Sequence, residues 1–528
     1  MLRSLAIICC ALVVSPWLQG DQPKSEPLLR LTSPEGHKQP LRSASYSSDG
    51  KSIITRCDQM ILRWDAATGK MLERVAPPLQ TSSFLTTNDG KWIAIAAPNA
   101  TIQVYDSATR QLRQTIDTGS GGGYTYGLAS DSRTLAVLGR QPATLQLFDL
   151  ESGEKRAGFD LPTAPNREDY VGMLPRRLIS TRYANLIGAG SEGHLTVFDA
   201  GRRKQVRSIP FPENRVLRHA ALSPDGRFAA IDLYGGDLAI WELASGAMRV
   251  RLTSWANTGH EYRQPQVRQQ VDGLRYPMAL SYSPDGRLLA HAAEDHKVHL
   301  WDAWSGKEAA IFDGHRDHVS SVGFSPDGKR LVTAGGDAIA LVWDVAAVRA
   351  KLPTFSAPLE RSKWEKTWQA LADADGGMVR EAIQALAGDP ASAVALLKER
   401  LKPVPGPDEK KLADLIKQLN DGKFAVRQKA KRELEQLGDQ AAPALVKAAA
   451  ESDSAEVRKQ AGRILERLGT RTPGVEEIRG IRAVEALEMC GTAEAQAILK
   501  SLAAGAPAAA LTEQARAALE HIEKRARR

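Results

Sequence analysis

Seven times between Trp64 and Asp344 an aromatic residue followed by an acidic one closes a short apolar run. The pairs are Trp64-Asp65, Tyr105-Asp106, Phe148-Asp149, Phe198-Asp199, Trp241-Glu242, Trp301-Asp302 and Trp343-Asp344. Successive aromatics stand 41, 43, 50, 43, 60 and 42 residues apart. A chain that returns to one residue pair every ~40–45 residues repeats one structural unit. Such a unit cannot bury its apolar face alone, so the core has to be made by stacking neighbours.

The last repeat shows the unit most clearly. Gly314-His315 precedes the run Val319 to Phe324, then Ser325-Pro326-Asp327-Gly328, Arg330 to Ala334, Asp337, and Ala340 to Trp343. Each run alternates as a half-buried strand does. Ser-Pro-Asp-Gly is a turn, because Pro presets its own φ and Gly accepts a positive one. It recurs at Ser223–Gly226 and Ser283–Gly286, with degenerate copies at Ser47–Gly50 and Asn88–Gly90. Four short antiparallel strands per unit make a propeller blade.

On these motifs residues 27–345 resemble the WD-repeat propeller family. The resemblance implies a buried network of His315, Thr333, Asp337 and Trp343 in blade seven. By position it selects Asp58 and Trp64 in blade one and Asp295 and Trp301 in blade six. Asn99 and Glu192 stand as substitutes in blades two and four, and Pro142 and Gly235 break the pattern in blades three and five. His291 takes the Thr333 position in blade six. The middle blades are expected to rest on apolar packing, since a half-made buried polar network costs stability. Pro27–Thr32 has the position of an outer strand with no blade before it. It is expected to complete blade seven and so remove the exposed edge of an open sheet.

From about Lys351 the composition shifts to Ala, Leu, Glu, Lys, Arg and Gln, and apolar residues recur at three and four. Leu412, Leu415, Ile416 and Leu419 form one stripe. Val426, Ala430, Leu434 and Leu437 form another ending at Gly438, and Val457, Ala461, Leu465 and Leu468 repeat it before Gly469. Gly after each stripe reads as a helix stop, and Asp439-Gln440 and Ser454 as the next starts. The segment resembles HEAT-type helical repeats, with Val426-Arg427 and Val457-Arg458 as the shared pairing. The expected architecture is multidomain β plus α: a seven-bladed β-propeller at 27–345, a helical junction and linker at 346–407, and an α-helical, HEAT-like repeat domain at 408–528. The whole arrangement resembles secreted members of bacterial WD-repeat families.

Arg3, the apolar run Leu5 to Val14 and Gly20 read as a signal peptide over residues 1–20. Export to a periplasmic or extracellular space is expected, with an uncleaved N-terminal anchor as the alternative. No membrane span is expected in the mature chain. Cys57 and Cys490, one in each folded region, are expected to be free thiols.

The net charge of +8 is spread evenly, with 30 basic and 26 acidic residues in 351–528. An even excess does not make the clustered patch that nucleic acid meets, so no nucleic acid is expected. Hydrolase and haem motifs are missing, His315 belongs to the repeat, and no metal or other cofactor is expected. The chain therefore reads as a non-enzymatic scaffold for protein partners. It is expected to bind through the propeller's top face and the helical surface. Residues 261–275, an insertion in blade six, supply Arg263, Arg268 and Arg275 as candidate contacts. An enzyme or metal site in the central funnel is the alternative, and nucleic-acid binding by the basic helices the third.

Overall fold

The structure is a computed structural model. It describes residues 26–526 apart from 33–36, 58–59, 76–83, 88–89, 98, 120–123, 130, 140–143, 162–176, 181–185, 192, 202–203, 212–216, 234–236, 253–278 and 356. Among the described residues twenty-eight strands, β1–β28, form seven four-stranded antiparallel sheets. The sheets are the blades of a seven-bladed β-propeller. Blade five is β18–β21 (Leu217–Leu222, Phe228–Leu233, Asp237–Glu242, Met248–Leu252). Blade six is β22–β25 (Leu280–Tyr282, Leu288–Ala292, Val298–Asp302, Lys307–Phe312). Blade seven is β26–β28 (Val319–Phe324, Arg330–Gly335, Ala340–Asp344) and takes its fourth strand from β1 (Leu29–Leu31).

That fourth strand closes the ring. Leu29 pairs with Val342 and Leu31 with Ala340. Leu31 is buried in the core that blades seven and one share. The outer segment thus gains the sheet partner it lacks in its own blade, and blade seven loses an open edge.

Each blade is shaped by its turns. In the Ser-Pro-Asp-Gly turn of blade seven, Ser325 Oγ donates to Asp327 Oδ1 at 2.6 Å and accepts from Arg330 N at 2.9 Å. Gly328 follows at φ +69°, which an L side chain resists. Between blades six and seven the contact is apolar: Phe312 of β25 stacks on Trp343 with centroids 4.8 Å apart. Because the strands alternate in direction, the turns after first and third strands share the lower face of the ring. Second-strand turns and the links between blades share the upper face.

Eleven helices follow among the described residues. α1 is Ala346–Arg349, α2 Trp364–Ala370, α3 Gly376–Gly388 and α4 Pro390–Arg400. Then come α5 Glu409–Gln418, α6 Phe424–Leu437, α7 Ala442–Glu451 and α8 Ala455–Thr470. The last are α9 Val475–Cys490, α10 Ala493–Ala503 and α11 Ala510–Ala526. Ser454 caps α8, whereas Asp439 sits in a single 3-10 turn before α7 without capping it. Gly438 and Gly491 end α6 and α9 at positive φ. Gly469 is not a stop, because α8 runs one residue further to Thr470.

The paired arginines of the helical repeat have one role. Arg427 Nη1 donates to the carbonyls of Asp421 and Gly422, and Arg458 Nη1 to those of Ser452 and Asp453. Each ties the start of its helix to the carbonyls of the loop before it.

The helices share two cores, and these cut across the boundary expected at 407. Trp368, Leu386 and Leu397 of the expected junction are buried together with Val484, Leu487 and Leu499. Helices α2–α4 are therefore one bundle with α9–α11. Helices α5–α8 make a second core around Leu415, Leu434, Leu445 and Ile464. Trp368 is buried and Trp364 packs at the edge of the same core. Cys57 and Cys490 are both free, the first buried and the second half-buried.

Leu31→Ala removes a buried side chain from the closing strand. A loss of about 2–5 kcal/mol is expected, read as a lower denaturant midpoint of the propeller transition.

Candidate functional site

The acidic residues after the aromatics lie at the ends of third strands, where they close a turn, and Asp106, Asp149 and Asp302 also meet an arginine of the same blade. Asp65 accepts from the amides of Ala67 and Thr68 and from the Thr68 hydroxyl. Asp106 does the same with Ala108 and Thr109. Asp302 takes the Ser305 hydroxyl, and Asp344 accepts from the Ala346 amide at the start of α1. Thus these carboxylates stand apart, one per blade.

Glu242 differs. Its backbone makes the same turn, with Gly246 N donating to Glu242 O at 2.8 Å. Its longer side chain still accepts from Ser245 Oγ, and it also reaches out of the blade. Arg482 of α9 donates to it through Nη2 at 2.7 Å and through Nε at 3.1 Å. The other Arg482 donor, Nη1, meets the carbonyls of Leu371 and Asp373, both at 2.9 Å. Arg249 of β21 bridges Glu242 and Glu485. One turn further along α9, Glu488 meets Arg227 at 2.6 Å and Arg525 of α11. Arg482, Glu242, Arg249 and Arg227 are all buried.

This clamp seats the helices on the lower face of the ring. Arg349 binds Asp285 and the Gly328 carbonyl, joining α1 to blades six and seven. Gln384 donates to Trp304 O, and Arg207 of blade four reaches Thr472 Oγ1 at 3.3 Å. At the start of α3, Gly376 lies so close that an added Cβ would stand 2.2 Å from Met248 O. Only glycine permits that approach.

Burial works against the charge on Glu242, yet Arg249 and Arg482 outweigh it and hold its carboxyl at about 2. Glu488 is likewise held at about 2, with Arg227, His521 and Arg525 overcoming burial. Burial pushes Glu485 above the usual carboxylate range.

The upper face carries the repeat's polar network. In blade seven His315 Nδ1 meets Asp337 at 3.1 Å and Nε2 meets Thr333 Oγ1 at 2.8 Å. Trp343 Nε1 donates to the same hydroxyl at 2.9 Å. In blade one His37 and Trp64 both meet Thr55 Oγ1 at 2.8 Å, and Asp58 lies outside the described residues. Blade six corrects the expectation. Asp295 meets His299 Nε2 at 3.2 Å and does not join a histidine–threonine–tryptophan set. His291 stands where the hydroxyl would be, and the Trp301 indole N–H has no protein acceptor among the described residues. Asp295 and Glu308 overcome burial to hold His299 at about 9.

A buried ionic seam runs between blades five and six on this face. Arg218 meets Glu294 at 2.8 Å and Asp232 at 4.0 Å, and His291 stands 3.8 Å from Asp232. The chain leaves Leu252 and returns at Leu280 beside this seam. Arg263, Arg268 and Arg275 fall within that span and lie outside the described residues. Among the described residues no group of three His, Cys, Asp or Glu could hold a metal ion. No described helix is long and apolar enough to cross a membrane.

Sequence reasoning missed the clamp. Two signals could have found it. Glu242 is the one Glu among seven acids at that position. In α9 the charges Arg479, Arg482, Glu485 and Glu488 recur every third residue between apolar ones.

Residues 275–302 and 306–344 match the family described as WD domain, G-beta repeat, and 412–478 match HEAT repeats. The chain carries WD40 repeats and HEAT repeats. It is similar to WD repeat-containing protein 3 of Homo sapiens, 26% identical over 116 residues, covering 22% of this chain and 12% of that protein. Protein tipD of Dictyostelium discoideum is 22% identical over 296 residues, 54% of this chain and 44% of tipD. The serine-threonine kinase receptor-associated protein of Gallus gallus is 21% identical over 281 residues, 52% of this chain and 71% of its own. The chain thus spans less than half of the first two. All three are eukaryotic, and nothing in them carries the bacterial or exported character expected from the sequence.

Glu242→Asp keeps the turn and withdraws the carboxylate from Arg482. A loss of about 3–5 kcal/mol from helical docking is expected, because a buried charge is left without its partner. It is read by limited proteolysis that frees the helices from an intact propeller. In the native protein Glu242 and Glu488 sit below the ordinary 4.5. Their contribution is therefore full above pH 4.5 and lost as pH falls towards 2. Glu485, shifted upward, runs the other way. X-ray scattering from pH 7 to 2 is expected to show the particle expanding only below about pH 4.

Proposed function

We propose that this chain is a non-catalytic interaction scaffold that binds a protein partner on the upper face of its propeller. One observation carries the reading. The chain's own helices occupy the lower face under blades four to seven, through buried ion pairs at blade five, and they do not reach the upper face among the described residues. Docking of a second element on the lower side leaves the links between blades as the surface for partners. Apolar clusters pack the middle blades against their neighbours. The relatives with WD repeats support a scaffold at this coarse level.

Within this proposal the span 261–275, with Arg263, Arg268 and Arg275, supplies contacts to the partner. Arg suits such a role, being enriched at interface centres. The exposed outer side of the helical repeats is a second surface in the same proposal. Export from the cell also belongs to it, and rests on Leu5 to Val14 alone.

Photoreactive side chains placed at His296 and Arg316 on the upper face, and at Lys51 on the lower, test the assignment in cells. One partner is expected to crosslink from both upper positions and not from Lys51. Deleting 261–275 is expected to weaken that crosslink. Crosslinking from Lys51 alone, or an unchanged yield in the deletion, would count against the upper face and the insertion respectively.

A further inference from the structure

Between the lower face of blades five and six and helices α3, α9 and α11 lies a recess that the clamp leaves partly unfilled. Its apolar wall includes Phe228, Ile240 and Met489. Its polar lining is unusual in how the arginines are used. Arg227 is buried, and one end of its guanidinium, Nη1, meets Glu488 at 2.6 Å and Asp225 at 3.7 Å. The other edge, Nε with Nη2, is buried and has no protein acceptor among the described residues. That edge offers two parallel N–H donors, the fork that fits two oxygens of a carboxylate or phosphate.

The same recess collects further donors. Tyr282, 5% exposed, carries a hydroxyl with no protein partner among the described residues. Burial, and then the charge of Asp225, push this phenol well above its usual range, so it stays a neutral donor. Arg249 lies over the Phe228 ring and spends Nη2 on Glu242 and Glu485, while its Nε has no described acceptor. Arg380 of α3 comes in from the helical side against Gly306, where an added Cβ would stand 3.3 Å from Nη1.

Carboxylates line the recess too, and most are already engaged. Asp285 is held by Arg349, Glu488 by Arg227 and Arg525, and Glu485 by Arg249. Asp225 accepts from the Ser223 hydroxyl and the Arg227 amide. What lacks a partner on the arginine and tyrosine side is a set of N–H and O–H donors. Buried donors of this kind are expensive to leave unmade.

We propose that this recess binds a small oxyanion, a carboxylate or phosphate group, held side-on by Arg227 and flanked by Arg380 and the Tyr282 hydroxyl. The site draws on both domains, so an occupant ties α3 and α9 to blades five and six. Recesses at domain boundaries with apolar walls and a few convergent polar groups are where small ligands usually sit.

Inorganic phosphate is the probe, titrated into the full chain at fixed ionic strength against chloride. Thermal unfolding is expected to shift upward saturably, by about 2 °C or more when phosphate is in large excess. Tyr282→Phe and Arg380→Gln are expected to unfold as the parent does in chloride, each to respond less to phosphate, and the double variant not to respond. Calorimetric titration is expected to give one site per chain in the parent and none in the double variant. Equal unfolding in phosphate and chloride, or a shift retained in the double variant, would overturn the assignment.

Discussion

One buried ion pair sets how this molecule is put together. Glu242 belongs to a propeller blade and Arg482 to a helix, 240 residues apart in the chain. Both are almost fully out of water. Taking two charges out of water is favourable only with close geometry and satisfied remaining donors. Both conditions are met: Arg482 places its other donor on two backbone carbonyls, and Glu242 keeps a hydroxyl and a second arginine. A pair of this kind tolerates little displacement, so it fixes the register of α9 on the ring as well as holding it there.

The rest of the lower face depends on that register. Gly376 can approach the Met248 carbonyl because no side chain intervenes. Arg349 closes the lower turns of blades six and seven from the first helix after the ring. The chain leaves blade seven on the lower side, and its short first helix directs the later helices beneath blades five and six. Ring closure by Leu29–Leu31 is a separate constraint. It holds the ring shut whatever the helices do, so the two devices can fail independently. The helices cover the lower side of these blades, and the seam around Arg218 and Asp232 lies on the opposite side.

Much of the fold could be read from the residues. The aromatic–acid pairs count the blades because each marks the end of a third strand. The closing strand was legible because Pro27–Thr32 had the pattern of a strand and no blade of its own. The complete set His315, Thr333, Asp337 and Trp343 was legible because all four members were present. Blade six was not, since His291 in place of a hydroxyl changes what Trp301 and Asp295 can reach. The helical partition was also hidden. Residues 364–401 resemble a junction by local pattern, and they join α9–α11 through apolar packing, and through Arg482 on the Leu371 and Asp373 carbonyls, across about a hundred positions. The clamp was hardest, because Glu242 and Arg482 each look like ordinary solvated charges until both are placed. A repeat invites the assumption that equivalent positions do equivalent work, and Glu242 shows how one added methylene breaks the equivalence.

The most direct measurement is a double-mutant cycle on Glu242→Gln and Arg482→Met, read as the stability of helical docking in the full chain. A direct buried pair gives a coupling of about 1.5 kcal/mol or more, so that the second substitution costs much less once the first is made. Two substitutions that add to within about 0.5 kcal/mol would contradict the pair, and with it the placement of the helices on the lower face.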